Sequence, residues 1–182
     1  MNIPRPEHPN PQWERKNWKN LNGIWAFEID NAATGEERGL VEAETLSGTI
    51  NVPFCPEAPL SGVNHKDFMD CVWYKKALHF TQEELTGNRV LFHIGACDYR
   101  TQVWVNGTSV GTHIGGMNAF SFDITDALCD GEEQVITICA TDLLREGKQC
   151  GGKQSLLYGS HGCHYTRTTG IWQTVWMECV PA

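Results

Sequence analysis

The chain has 182 residues, enough for one domain that removes roughly 70% of its unfolded surface from water. Its net charge of −8 excludes an ordinary phosphate-backbone partner, because nucleic-acid binders present a basic face. No apolar run approaches the roughly 18 residues of a membrane helix, and 18 Gly with 8 Pro suit short strands joined by tight turns.

Residues 1–19 are Pro-rich and polar. They are expected to form an extended arm across a domain surface, with Trp13 and Trp18 as its anchors. The first nine residues hold no apolar stretch that could serve as a signal peptide, so the expected setting is soluble and cytoplasmic. "GIWAFEID" (23–30) predicts the first strand, and "GTINVPF" (48–54) a short one ended by proline. "CVWYKKALHF" (71–80) and "NRVLFHIG" (88–95) follow as longer strands. In "YRTQVWVNGTSVGTH", Asn106-Gly107 separates two β-branched runs and predicts a type I′ hairpin, whose turn needs positive φ at both positions. "NAFSFDIT" (118–125) and "EQVITICATD" (133–142) continue the strand pattern; "DITDALCDG" allows a single helical turn. A Gly-rich loop spans 146–162, and "GIWQTVWMECV" closes the chain. Sustained helical periodicity and βαβ alternation are both absent, so the pattern predicts an all-β antiparallel sandwich of the jelly-roll kind.

Eight cysteines form no C-x-x-C pair, and several lie in strand-like runs, as Cys139 and Cys179 do. Most of them are expected to be reduced core residues, since buried Cys behaves as a small hydrophobe. The acidic doublets Glu36-Glu37, Glu83-Glu84 and Glu132-Glu133 fall at turns, where neighbouring carboxylates point apart into water. His161-Gly162-Cys163-His164 is the one dense group of metal-ligand types, but its spacing matches no zinc pattern, even with Cys150 added. No metal and no cofactor are expected. Asp98 and Tyr99 are assigned structural hydrogen bonds, and Asp123 an Asx turn.

Trp25, Trp73, Trp104, Trp172 and Trp176 all lie in strands, a place for core or interface more than for a sugar platform. In the closing strand Ile171, Gln173, Val175, Met177 and Cys179 share one face. The other face, with Trp172, Thr174, Trp176 and Glu178, suits contact with another domain.

Taken in order, "NLNGIWAFEID", "VPFCPEAPLSGV", "VWYKKALHF", "VWVNGTSVGTHIGGMNAFSFDIT", "GGKQ" and "TTGIWQTVWMECV" resemble the N-terminal domain of glycoside hydrolase family 2. That family includes β-galactosidases, β-glucuronidases and β-mannosidases. The resemblance runs from about Trp13 to Val180 and implies a galactose-binding-like jelly roll over 20–180, the sugar-binding domain. It further implies that 181–182 begin a linker to an immunoglobulin-like domain and a (β/α)₈ barrel, which carries both catalytic glutamates. On that reading this chain holds no catalytic residue, and it supports a β-glycosidase, most like a β-galactosidase, acting on a β-glycoside.

Family members often carry an aspartate six residues before the Gly-Ile of the last strand; here that position is His164. Arg167 matches an arginine found there in some β-galactosidases, and Tyr165 lies between them. The resemblance therefore assigns His164, Tyr165 and Arg167 to substrate contact in the full-length enzyme; the alternative for Arg167 is that it braces the loop by pairing with a nearby carboxylate. Met117 stands where many relatives have an aromatic. An autonomous carbohydrate-binding module and a purely structural docking domain are the competing readings.

Overall fold

The computed structural model describes residues 3–182. Its strands form two packed antiparallel sheets and a short two-stranded ladder. The larger sheet holds β2 (Gly23–Ile29), β3 (Gly48–Val52), β4 (Cys71–His79), β7 (Arg100–Val105), β8 (Thr108–Ile114) and β10 (Glu133–Thr141), in the order β3-β2-β4-β10-β7-β8. The smaller runs β1-β12-β5-β9, with β1 (Trp18–Asn20), β5 (Asn88–Ile94), β9 (Phe120–Asp123) and β12 (Val175–Pro181). The ladder joins β6 (Cys97–Asp98) to β11 (Gly170–Ile171).

The core follows from period-two patterning. On β5, Val90, Phe92 and Ile94 are wholly buried, while Leu91 and His93 between them are half-buried. They meet Val175 and Met177 of β12 and, from the other sheet, Tyr74, Val103 and Ile138. A fully buried side chain such as Phe92 contributes about 2–3 kcal/mol through the area it removes from water. β4 lacks clean alternation because both of its faces are covered. Its outer face carries Cys71 and Trp73, which pack with Trp104 and Cys139 under Leu40, Val41 and Leu46 of the loop after β2. Trp73 stacks on Trp104 and donates its indole N–H to Asp30. A side chain at Gly35 would strike that indole, since a Cβ there would lie 2.4 Å from it.

The hairpin forms as expected: Asn106 and Gly107 have φ of 49° and 80°. Asn106 does more than turn the chain, because its side chain donates to Gln134 and Ala127 and accepts from the Val135 N–H. Asp123 accepts from the Thr125 N–H as an Asx turn, and Thr125–Ala127 makes the single turn of 3₁₀ helix.

Four expectations change. β1 begins at Trp18 and pairs with β12, so the boundary at residue 19 cuts through a strand. Trp13 is 70% exposed and anchors nothing. A four-residue helix, α1 (Gln82–Leu85), follows β4, set by a Thr81–Glu84 capping box that hydrophobic periodicity cannot reveal. The closing strand splits into β11 and β12 at Trp172–Thr174.

The outer face of β12 is also covered by the chain itself. His8 of the arm packs edge-on against Trp18 and Trp176, and His93 stacks on Trp176 at 4.9 Å. Arg15 pairs with buried Glu178 at 2.7 Å. Trp176 and Glu178 are therefore not a free docking face. Among the described residues, no helix is long and apolar enough to cross a membrane.

Candidate functional site

The loop between β10 and β11 packs beside the β6–β11 ladder, and its shape is set by side chains that reach its backbone. Arg167 is 3% exposed. Its Nη1 donates to the carbonyls of Ser155 and Leu157, and its Nη2 to those of Tyr158 and Lys66. The guanidinium lies 4.1 Å from the Phe68 ring centroid. With both terminal nitrogens spent on carbonyls and its Nε buried without a partner among the described residues, Arg167 braces the loop and presents no exposed N–H edge to a sugar. The alternative reading of Arg167 holds, with carbonyl partners where a carboxylate was expected.

Three buried carboxyls pin the loop to the sandwich. Glu57 accepts the Thr169 N–H on both oxygens. Asp142 accepts from the Thr169 hydroxyl at 3.2 Å and from Gln149 Nε2 at 2.5 Å. Asp98 Oδ2 accepts from Gln154 Nε2 at 2.8 Å, and Gln154 Oε1 accepts the Thr168 N–H. Burial raises the pKa of Glu57 and Asp142 above the ordinary carboxylate range, against the pull of these donors. Burial, aided by the Asp142 charge, pushes Asp98 up to about 7. Five glycines in 146–169 suit a flexible loop, yet this one is tied down along most of its length by these side chains.

Asp98 forms the floor of a recess of about 220 Å³, whose walls include Gln154, Lys153, Tyr165, Thr168 and Trp172. Asp98 is 4% exposed, and its Oδ1 has no hydrogen-bond partner among the described residues. That oxygen lies against Gly116, where a Cβ would come within 2.3 Å of it. Trp172 closes the wall by donating its indole N–H to the Gly116 carbonyl at 2.8 Å. A larger hollow of about 890 Å³ follows the β2–β3 edge, but its one titratable group, Lys76, is engaged with the Ile24 carbonyl. Polar side chains that converge on one point favour the smaller recess as the site.

The structure separates the residues that the resemblance grouped. Tyr165 is 63% exposed and lines the Asp98 recess. His164 faces a neighbouring hollow with His161, Leu156 and Leu157. The two imidazoles stack at 5.0 Å across a tight turn. Among the described residues, no group of three or more His, Cys, Asp or Glu side chains could hold a metal ion. The structural hydrogen bond expected of Asp98 is present, from Gln154, but sequence reasoning did not foresee that these two residues would line a recess. The one signal for Gln154 was its place in "GGKQ", and Asp98 gave none beyond an acidic residue between two strands.

A profile of the family described as "Glycosyl hydrolases family 2, sugar binding domain" matches residues 18–149. The chain is 31% identical over 130 residues to the beta-glucuronidase of Paenibacillus borealis, covering 69% of this chain and 21% of that protein. It is 31% identical over 162 residues to the beta-galactosidase of Thermoanaerobacter pseudethanolicus, covering 88% of this chain and 19% of that protein. Its fold is similar to that of the β-glucuronidase from Ruminococcus gnavus solved in complex with uronic deoxynojirimycin. The TM-score is 0.73 at 19% identity, over 92% of this chain and 30% of that one. The chain spans about a fifth of the length of the two sequence relatives.

Proposed function

The chain belongs to the sugar binding domain family of the family 2 glycosyl hydrolases, and from that premise we propose that it is the non-catalytic sugar-binding portion of a retaining β-glycosidase. The observation that carries this reading is the Asp98 recess. A buried carboxyl, an amide and two aromatic rings meet there, where the braced loop packs beside the β6–β11 ladder. A carboxyl and an amide accept and donate to vicinal hydroxyls, while an aromatic face receives the C–H face of a pyranose. Retaining hydrolysis itself needs two carboxyls facing each other about 5–5.5 Å apart across the glycosidic bond. Here Glu57 and Asp142 are committed to loop donors, Glu36, Glu37 and Glu132 are exposed in loops, and Glu133 is exposed at the start of β10. On this proposal a (β/α)₈ barrel in the same polypeptide supplies the catalytic glutamates, an immunoglobulin-like domain joins the two, and Tyr165 and His164 reach toward the bound β-glycoside.

A β-galactosidase-like substrate is our choice within the family. The beta-galactosidase relative aligns over 88% of the chain, against 69% for the beta-glucuronidase. Once ionised, above about pH 7, the Asp98 carboxyl at the floor of the recess also suits a neutral hexose better than a uronate, whose own carboxylate it would then repel.

Titration of the chain with galactose, glucuronate and mannose, followed by amide NMR, tests the proposal. Shifts confined to Asp98, Gln154, Tyr165 and Trp172, at galactose concentrations above millimolar, are expected. Millimolar or tighter affinity would favour an autonomous carbohydrate-binding module, and shifts along the β2–β3 edge would move the site. The purified chain is expected to hydrolyse no aryl β-galactoside or β-glucuronide; turnover abolished by one carboxylate substitution refutes the non-catalytic role.

A further inference from the structure

Cys71 and Cys139 place their sulfur atoms 3.4 Å apart on neighbouring strands β4 and β10. Cys71 lies opposite Thr141 and Cys139 opposite Trp73, so the two are diagonal neighbours on the outer face of the larger sheet. Sheet twist shortens one of the two diagonals between paired strands, which brings such side chains into contact. Both are buried, at 2% and 5% exposure, between Trp73 and Trp104 and beneath Leu40, Val41 and Leu46. Two buried thiols can be packing atoms and nothing more. Here, though, the sulfurs touch each other, and a disulfide needs only about 1.4 Å of further approach to reach the roughly 2.05 Å of an S–S bond.

We propose that Cys71 and Cys139 are a redox modification site that closes to an intramolecular disulfide on exposure to a hydroperoxide. The Cys71 thiolate attacks one peroxide oxygen, the O–O bond breaks, and Cys71 becomes a sulfenic acid as water leaves. The sulfur of Cys139 then attacks the Cys71 sulfur and the S–O bond breaks. Hydroxide departs with the Cys139 proton as a second water. Two thiols and hydrogen peroxide thus give one disulfide and two waters, with two electrons passing from sulfur to oxygen. Either sulfur can donate in this contact, so the same steps with the two cysteines exchanged give the same disulfide.

The bond would join the start of β4 to the end of β10, beside the pairing of the Asp142 N–H with the Asp70 carbonyl. Asp142 is also where the site loop is tied through Gln149 and Thr169. Oxidation would therefore cross-link the sheet at the root of that loop.

Peptide mapping tests this. Exposed thiols of the native chain are first capped with iodoacetamide, hydrogen peroxide is added, and the chain is unfolded with N-ethylmaleimide and digested without reductant. A Cys71–Cys139 cross-linked peptide is expected, with a rise of about 10 °C in thermal midpoint that dithiothreitol reverses. In Cys139→Ala, dimedone should trap sulfenic acid at Cys71 and the midpoint should not rise. Recovery of Cys71 and Cys139 as maleimide adducts, as separate sulfinic acids, or in cross-links to other cysteines overturns the proposal. So does a midpoint rise that persists in Cys139→Ala.

Discussion

Replacement of Arg167 by alanine should release the site loop from the sandwich. Arg167 donates to four carbonyls, those of Ser155, Leu157, Tyr158 and Lys66, and lies against Phe68. A hydrogen bond from a charged donor contributes about 1.5–3 kcal/mol, so four bonds give a gross term near 6 kcal/mol even at the low end. Burying the guanidinium costs several kcal/mol of hydration, which offsets part of that term. Truncation also leaves the carbonyls without their donor, though a loop that opens can return some of them to water. The net loss expected is about 3–5 kcal/mol, or about 10 °C in thermal midpoint for a chain of this size. Urea unfolding should show a lower midpoint with an unchanged slope if the native state stays compact, and limited proteolysis should cut between 155 and 160. Arg167→Lys should recover less than half of the loss, because one compact ammonium cannot span four carbonyls on two segments. A loss under about 1 kcal/mol, with the loop still resistant to protease, refutes the bracing role and returns Arg167 to the list of sugar ligands.

The raised pKa of Asp98 means that the native state binds its proton more tightly than the unfolded chain does. Its contribution to stability is full below the ordinary carboxylate range and is lost as pH rises through about 7. Asp98→Asn should therefore flatten the stability profile between about pH 4 and pH 7 and be the more stable form at pH 8; an unchanged slope in urea melts across that range would count against burial of the carboxyl. His93 has the opposite sign. Burial lowers its pKa from 6.5 against the pull of Glu178, with Arg15 and His8 also opposing its charge, so its contribution is full above 6.5 and lost as pH falls through the lowered value. An NMR titration should place the His93 midpoint below 6.5, and a midpoint at or above that value would show that the arm leaves the ring hydrated. Asn106→Ala removes three side-chain hydrogen bonds and puts a β-carbon residue without a local partner at positive φ. Chemical denaturation should report a loss of about 2–3 kcal/mol, and a value within experimental error of wild type would reduce Asn106 to turn chemistry alone.

The sequence by itself determined those features whose causes lie within a few residues. Val90, Phe92 and Ile94 alternate because a pleated strand with one covered face demands it, and Asn106-Gly107 turns because its backbone tolerates positive φ. The order of the motifs was enough to place the chain in its family, since each motif is a local run. Partners distant along the chain were another matter. Gln154 reaches Asp98 across 56 positions, and Arg167 reaches the Lys66 carbonyl across 101. Nothing local in "YTRTT" separates an arginine that points to solvent from one folded beneath its own loop. The outer face of β12 makes the same point: Trp176 and Glu178 showed an amphipathic face in need of cover, but not that His8 and Arg15 of the arm would provide it. A residue pattern states which surfaces must leave water. Which segment covers them depends on how the two sheets stack and where the loops can then reach, and that is decided only when the whole chain packs.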